Sequence, residues 1–317
     1  MKIMMLGGSG FVGSHLTRRL SRDGHSVSVA TRHPTGAKHL AIVPRVRIRH
    51  FDPYDIDRLT DELSGHDTLI NLIGILNEAG RNGAGFYKAH IELVEKAIRA
   101  CERAGVRRII QMSALNAGQG ESFYLRTRGG GEQRVRDSDL DWTIFRPSTI
   151  FGPDDSFLNR FAGLLRISPV LPLARAQARF APVYVGDVVE AFARALEDRA
   201  SHGQTYELCG SEILTLRQVV EWVARRRRMR RLVIGLPDAL GRLQGRVFDF
   251  VPGKPFSSDN FKSLLLDSVC SSNGFEALDI EPWPMREKAA EWLGGNAYDR
   301  QSRYQRFRQG FGRGGRT

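Results

Sequence analysis

Cysteine is scarce in this chain. Three occur in 317 residues, at Cys101, Cys209 and Cys270, with no C-x-x-C pair and no histidine cluster beside them. That spacing gives neither a disulfide framework nor a metal site, and it fits a reducing, cytoplasmic setting. Long apolar runs are also missing, so no segment approaches the length needed to span a bilayer. Lys2 before an apolar stretch has the outline of a secretory leader. The stretch runs straight into a glycine turn, however, and reads as the first strand of a fold. Acid is outnumbered, with 35 Asp and Glu against 47 Lys and Arg, for a net charge of +12. The excess is local. Arg225, Arg226, Arg227, Arg228, Arg230 and Arg231 contribute +6, and the segment Tyr298–Thr317, with six arginines and one aspartate, contributes +5. The remaining body is nearly neutral, so basicity is a property of two patches and not of the whole surface.

Glycine, by contrast, stands at chosen places. The apolar strand Met1–Leu6 leads into Gly7-Gly-Ser9-Gly10-Phe11-Val12-Gly13 and then an amphipathic helix. Gly7 permits a tight turn, Gly10 lets backbone amides approach a pyrophosphate, and Gly13 lets the helix pack closely on the strand. Amides of the opening helix then face the phosphates. Strand, turn and helix together make this a dinucleotide-binding turn, with Gly7, Ser9, Gly10, Phe11, Val12 and Gly13 assigned to the cofactor.

The next strand, His25–Ala30, ends in Thr31-Arg32-His33. A site for NAD(H) usually carries Asp or Glu there to accept from the ribose 2′-hydroxyl. No carboxylate is present, and Arg32 offers a cationic fork for a 2′-phosphate, with Lys38 in support. The cofactor expected is NADP(H) in preference to NAD(H).

Strands are expected near residues 2–6, 26–31, 46–51, 67–74, 107–113 and 141–147, with helices near 12–22, 55–63, 87–104 and 123–137 between them. This alternation is an α/β, doubly wound parallel Rossmann sheet. Ile91, Val94, Ile98 and Cys101 form one stripe of the 87–104 helix, an ordinary packing face. Beyond about residue 150 prolines break the pattern, and helices are readable near 156–166, 187–198 and 215–228. The expected organisation is a nucleotide-binding domain over 1–152 and a small C-terminal α+β lobe over 153–297. The lobe is interleaved with the sheet by a returning strand and helix near 180–200. A basic Arg/Gly-rich tail over 298–317 is expected to be disordered.

The strand ending Ile109-Ile-Gln-Met-Ser113, followed by Tyr124-Leu-Arg-Thr-Arg128, resembles the Ser…Tyr-x-x-x-Lys core of short-chain dehydrogenases/reductases, specifically their extended and atypical members. A phenol with free pKa near ~10 works as an acid–base at neutral pH only beside a cation. Four-residue spacing puts Tyr124 and Arg128 on one helix face. Ser113 would hold a substrate carbonyl oxygen. Arg128 keeps the charge of the family's lysine but not its compact ammonium. Gly129-Gly-Gly131 follows at once, and glycines inside a helix cost roughly 1 kcal/mol each relative to alanine, which weakens the helix just past its working turn.

The similarity narrows further along. Asp141–Pro153, Phe157–Ala162, Arg179–Val188 and Pro252–Asn260 are similar to the NADPH-binding accessory subunit of mitochondrial respiratory complex I and its bacterial relatives. This resemblance implies that Asp52 contacts the adenine amine and that Leu72, Ile73 and Gly74 pass the adenosine side by backbone contact. It also implies that Pro147 and Ile150 flank the nicotinamide. A cofactor held in a structural or assembly role, with a partner from the respiratory chain or quinone metabolism, follows from it. The alternative is an active NADP(H)-dependent oxidoreductase on a bulky carbonyl or quinone-like substrate. The arginine cluster at 225–231, at a helix end beside Trp222, suits an anionic membrane surface, which would make the chain peripheral to the inner membrane. In the tail, Tyr304, Phe307 and Phe311 interleave with arginine, a composition that resembles RGG-type segments of nucleic-acid-binding proteins. The stretch is short, and nucleic acid is the least favoured partner.

Overall fold

The computed structural model describes residues 1–252 and 254–294. The tail over 298–317 lies outside them. In the first half, β1 (Lys2–Leu6), α1 (Phe11–Arg22), β2 (Ser26–Thr31), β3 (Val46–His50), α2 (Ile56–Leu63) and β4 (Thr68–Asn71) alternate as the sequence requires. They are followed by α3 (Ala84–Tyr87), α4 (Leu93–Ala104), β5 (Arg108–Met112), α5 (Phe123–Arg136) and β6 (Asp141–Pro147). The helix expected over 87–104 is not uniform. A π turn over Lys88–Glu92 separates α3 from α4, and such turns cluster at functional sites.

The second half carries β7 (Ile150–Phe151), α6 (Leu158–Ile167), β8 (Val170–Ala174), β9 (Arg179–Phe180), β10 (Val183–Tyr184) and α7 (Val185–Glu197). Then come β11 (Gln204–Leu208), β12 (Leu214–Thr215), α8 (Leu216–Arg226), β13 (Leu232–Leu236), α9 (Asp238–Phe248) and α10 (Ser258–Ser263). Seven strands form one parallel sheet in the order β11-β6-β5-β4-β1-β2-β3. Helices α1 and α7 pack together on one face, and α2, α4 and α5 on the other. The order reverses between β1 and β4, which is where doubly wound sheets bind ligands, beyond the strand C-termini.

Strand β11 carries too little apolar alternation to be read from sequence. It pairs with β6 residue for residue, Gln204 with Thr143 through Leu208 with Pro147. Buried Arg108 braces this edge, donating to the Asp141 and Ala195 carbonyls. A second core gathers α6, α8 and the two-stranded β8–β13 sheet.

The cysteine reading needs correction. Cys209 and Cys270 form a disulfide with Cα atoms 5.9 Å apart, 61 residues apart in sequence. Tertiary folding brings the end of β11 against the segment after α10, a proximity that cysteine spacing does not encode. Cys101 is free and buried, and burial pushes its thiol up to about 12. No group of three or more potential metal-ligating side chains and no helix long and apolar enough to cross a membrane occurs among the described residues.

Candidate nucleotide site

The glycine turn closes as its sequence demands. Gly7 has φ +79°, and Gly10 N–H donates to Gly7 O at 3.0 Å. A Cβ on Gly13 would stand 2.3 Å from Gly7 O and 2.6 Å from Gly8 Cα, so α1 approaches the turn as only glycine allows. One on Gly7 would meet the Leu72 carbonyl carbon and Ile73 N at 3.1 Å, which seats the turn on the exit of β4. No side chain caps α1 and no acid lies in its first turn. Its leading N–H groups at Phe11, Val12 and Gly13 are therefore left for an anion.

Arg32 and Lys38 are exposed just beyond β2, and neither is ion-paired among the described residues. Asp52 stands two residues past β3 and accepts the Tyr54 N–H at 3.2 Å. Burial pushes the Tyr54 phenol up, and the charge of nearby Arg32 pulls it partly back. Arg32, Asp52 and Tyr54 thus form one neighbourhood at the rim of the sheet.

On the opposite side of the turn, Asn71 fixes the end of β4. It accepts the Ile73 N–H at 3.1 Å and donates to Gln111 at 2.9 Å. Arg128 reaches out of α5 and is buried. It donates to the Met112 carbonyl at 3.0 Å and the Ile73 carbonyl at 3.5 Å, spanning the exits of β5 and β4. A Cβ at Gly74 would fall 1.8 Å from Arg128 Nη2, so position 74 must be bare for the guanidinium to lie there. Arg128 has no carboxylate partner among the described residues, and its buried Nε finds no acceptor. Its Cζ stands 5.5 Å from the centroid of the Tyr124 ring, within cation–π range. Ser113, also buried, anchors its backbone to the Phe145 carbonyl at 2.7 Å, and its hydroxyl has no partner among the described residues.

The structure therefore brings Tyr124 and Arg128 together and places Ser113 next to Met112, whose carbonyl Arg128 holds. No hydrogen bond joins the Ser113 hydroxyl to Tyr124 among the described residues. Pro147 ends β6, where its carbonyl accepts Leu115 N–H at 3.0 Å, and Ile150 pairs with Val183. A turn with no room for Cβ atoms, together with a buried guanidinium without a carboxylate and a buried hydroxyl without a partner among the described residues, fits a dinucleotide.

Several contributors had no sequence signal strong enough to find them. His90, in the π turn, accepts the Ile75 N–H on Nε2 at 3.2 Å and meets Thr127 Oγ1 through Nδ1 at 2.9 Å. Burial, and then the charge of Arg128, pushes its imidazole down to about 2. It is thus a neutral brace with its proton on Nδ1, in edge contact with Tyr124 at 5.6 Å. Asp259 accepts the N–H groups of Phe123 and Tyr124, and Ser122 caps the same helix through Leu125 N–H.

The glycine triplet also needs reinterpretation. Cβ atoms at Gly129, Gly130 and Gly131 would strike Gly118 Cα at 2.3 Å, Ile91 Cδ1 at 2.7 Å and the His90 carbonyl at 2.2 Å. These glycines are contact surfaces that let α5 press onto the π turn and the 117–118 loop, and the packing they permit offsets their helix cost. The arginine cluster is partly committed as well. Arg226 donates to the Ala290 carbonyl, Arg231 to that of Leu165, and Arg225 lies 3.9 Å from Glu221.

The fold and its glycine turn define an NAD(P)-binding Rossmann-type protein. Residues 7–156 match the NAD(P)H-binding family. The fold is shared with a UDP-glucuronic acid 4-epimerase from Bacillus cereus solved with UDP-glucuronic acid and NAD. The two are 18% identical with a TM-score of 0.74, over 95% of this chain and 99% of that one. The mitochondrial NADH dehydrogenase [ubiquinone] 1 alpha subcomplex subunit 9 of Arabidopsis thaliana is 30% identical over 308 residues, covering 91% of this chain and 76% of the relative. The chain belongs to that subunit's family. A ceramide reductase of Caulobacter vibrioides is 30% identical over 189 residues, covering 58% of this chain and 57% of that protein.

Proposed function

We propose that this chain holds NADP(H) as a structural cofactor and docks on a respiratory-chain assembly. The observation that carries the reading is the buried guanidinium of Arg128, tied to strand carbonyls without a carboxylate. Such a charge favours a bound anionic ligand, while its planar fork is a poor substitute for a lysine shuttling beside a phenol. The turn from Gly7 to Gly13 would hold the pyrophosphate, Arg32 the 2′-phosphate and Asp52 the adenine amine. Leu72, Ile73 and Gly74 would line the adenosine side, and Pro147 and Ile150 the nicotinamide. Cofactor binding at a hundredfold excess over Kd adds about 2.7 kcal/mol of stability. The names of the relatives support a respiratory partner, and exposed Arg228 and Arg230 in the 225–231 cluster support peripheral contact with an anionic membrane.

Titration with NADPH and NADH, following cofactor fluorescence and thermal stability together, tests the cofactor. NADPH should bind more tightly, and Arg32→Ala should remove most of that preference while sparing NADH. Equal affinities in the native chain would overturn the 2′-phosphate assignment, and no binding of either would overturn the site.

The Ser113 hydroxyl, without a partner among the described residues, favours a second reading, reduction of a bulky apolar carbonyl, to which the ceramide reductase likeness adds weight. NADPH, when bound, supplies a hydride. Ser113 would hold the carbonyl oxygen, Tyr124 would deliver the proton, and Arg128 would hold the ribose. Turnover of long-chain ketones or quinones by Arg128→Lys but not by the native chain would mark a degenerate enzyme.

A further inference from the structure

Helix α9 is built inside out. Its only buried residues are Gly241 and Gly245. A Cβ on Gly241 would press on Phe261 at 2.9 Å and Ala174 at 3.1 Å, and one on Gly245 would meet Ser257 O and Ser258 at 3.2 Å. The helix therefore packs through its glycines. Leu240, Leu243 and Val247 recur at i, i+3 and i+7 on the opposite side, 50%, 54% and 53% exposed, and Phe250 continues the line at 72%. A surface helix ordinarily turns such a stripe to the core. The neighbouring edge strand β13 adds Leu232 and Ile234, exposed while Val233 between them is buried. A row of large apolar side chains left exposed along one helix face marks an interaction face.

Charge identifies what covers it. Arg242 and Arg246 run along one flank of the stripe, and Arg230 precedes β13. None of the three has a carboxylate within ion-pair distance among the described residues. The acids nearby are committed, Asp238 to Arg175 at 3.1 Å and Asp249 to Ser258 at 2.6 Å. A second copy of the chain placed face to face would set these cations against each other. An apolar ridge flanked by arginines without carboxylate partners among the described residues, Arg242 lying over the Phe261 ring at 5.7 Å, matches an anionic bilayer, where the ridge sinks into the acyl boundary and the guanidinium groups stay with phosphates.

We infer that α9 is a bilayer-seating element that lies in the plane of an anionic membrane on its Leu240–Leu243–Val247–Phe250 ridge. The inference rests on the peripheral-membrane reading above and moves the seat from the 225–231 cluster to a different element.

The test is co-sedimentation of the full chain with phosphatidylcholine vesicles, with and without phosphatidylglycerol. The native chain should partition onto the anionic vesicles. Leu243→Gln/Val247→Gln should partition on the order of tenfold more weakly while keeping native NADPH binding and thermal midpoint, because both side chains face outward. An environment-sensitive fluorophore on Leu243→Cys should shift to the blue on anionic vesicles only. If the double variant partitions like the native chain while Arg225→Gln/Arg228→Gln does not, the arginine cluster is the seat and the α9 inference falls alone. A native chain that ignores both kinds of vesicle overturns both readings. Concentration-dependent dimerisation lost in the double variant would hand the ridge to a second copy and overturn the bilayer assignment, as would capture of an acidic protein partner without vesicle binding.

Discussion

The carboxylate of Asp259 accepts the backbone N–H of Tyr124 at 3.1 Å, and its other oxygen accepts that of Phe123 at 2.6 Å. A residue of the C-terminal lobe thus caps the helix that carries Tyr124 and Arg128, where acid also complements the helix dipole. A strap over residues 77–86 reinforces the joint. Lys254 Nζ donates to the Glu78 and Gly80 carbonyls, and buried Glu78 accepts the Gly83 and Gly85 N–H groups. The start of α5 is thereby tied to α10 and to the 77–86 strap.

Asp259→Ala should leave two helix N–H groups without acceptors, at a cost of about 1–3 kcal/mol, and should weaken NADPH binding. Asp259→Asn, whose amide oxygen still accepts, should recover part of both. Denaturant unfolding and NADPH titration of the three proteins decide it, and native affinity in the alanine form would refute the coupling.

Asp187 predicts a pH dependence. Burial pushes its carboxyl up to about 6, against the Trp283 N–H and the charge of Lys288. The folded chain takes up this proton near pH 6, whereas the unfolded chain waits until about 4. The group's contribution to stability is therefore full below about 4 and lost as pH rises through about 6. Asp187→Asn should flatten that part of the stability–pH curve and be most favourable above it. An unchanged slope in the variant would show that another group is responsible.

Gly131→Ala places a Cβ 2.2 Å from a backbone oxygen that cannot yield without moving the π turn. The expected loss is about 3 kcal/mol, seen as a lower thermal midpoint. Gly163, inside α6, would have nothing within 4 Å of its Cβ, so Gly163→Ala should gain up to about 1 kcal/mol. Similar effects from the two changes would contradict the contact role of the triplet.

Cys209→Ser/Cys270→Ser opens a loop spanning 61 residues of sequence. Under non-reducing conditions it should cost about 2–4 kcal/mol, while reductant should lower the native chain to the same level. Equal unfolding midpoints for native and variant chains without reductant would mean that the bridge contributes nothing.

The first half was legible because each signal is local. The glycine turn, the period-two strands and the helix of Tyr124 all depend on residues a few positions apart, and observed bounds such as Phe123–Arg136 fall within a residue of those expected. The places of Arg32 and Ser113 were legible for the same reason, since each directly follows a strand that the pattern defines. His90 and Asp259 were not legible. One sits in a stretch that looks like a plain amphipathic helix, and the other caps a helix 135 residues away.

By itself, then, the sequence determined the parallel sheet, the glycine turn and the residue types gathered at its edge, because backbone geometry and apolar period act over single turns and strands. Tertiary structure alone decided three things. It paired Cys209 with Cys270, it made Gly129–Gly131 a packing surface, and it turned the leucines of α9 outward. Each is a contact between segments far apart in the chain, and which face of an element is buried is set by the neighbour it meets.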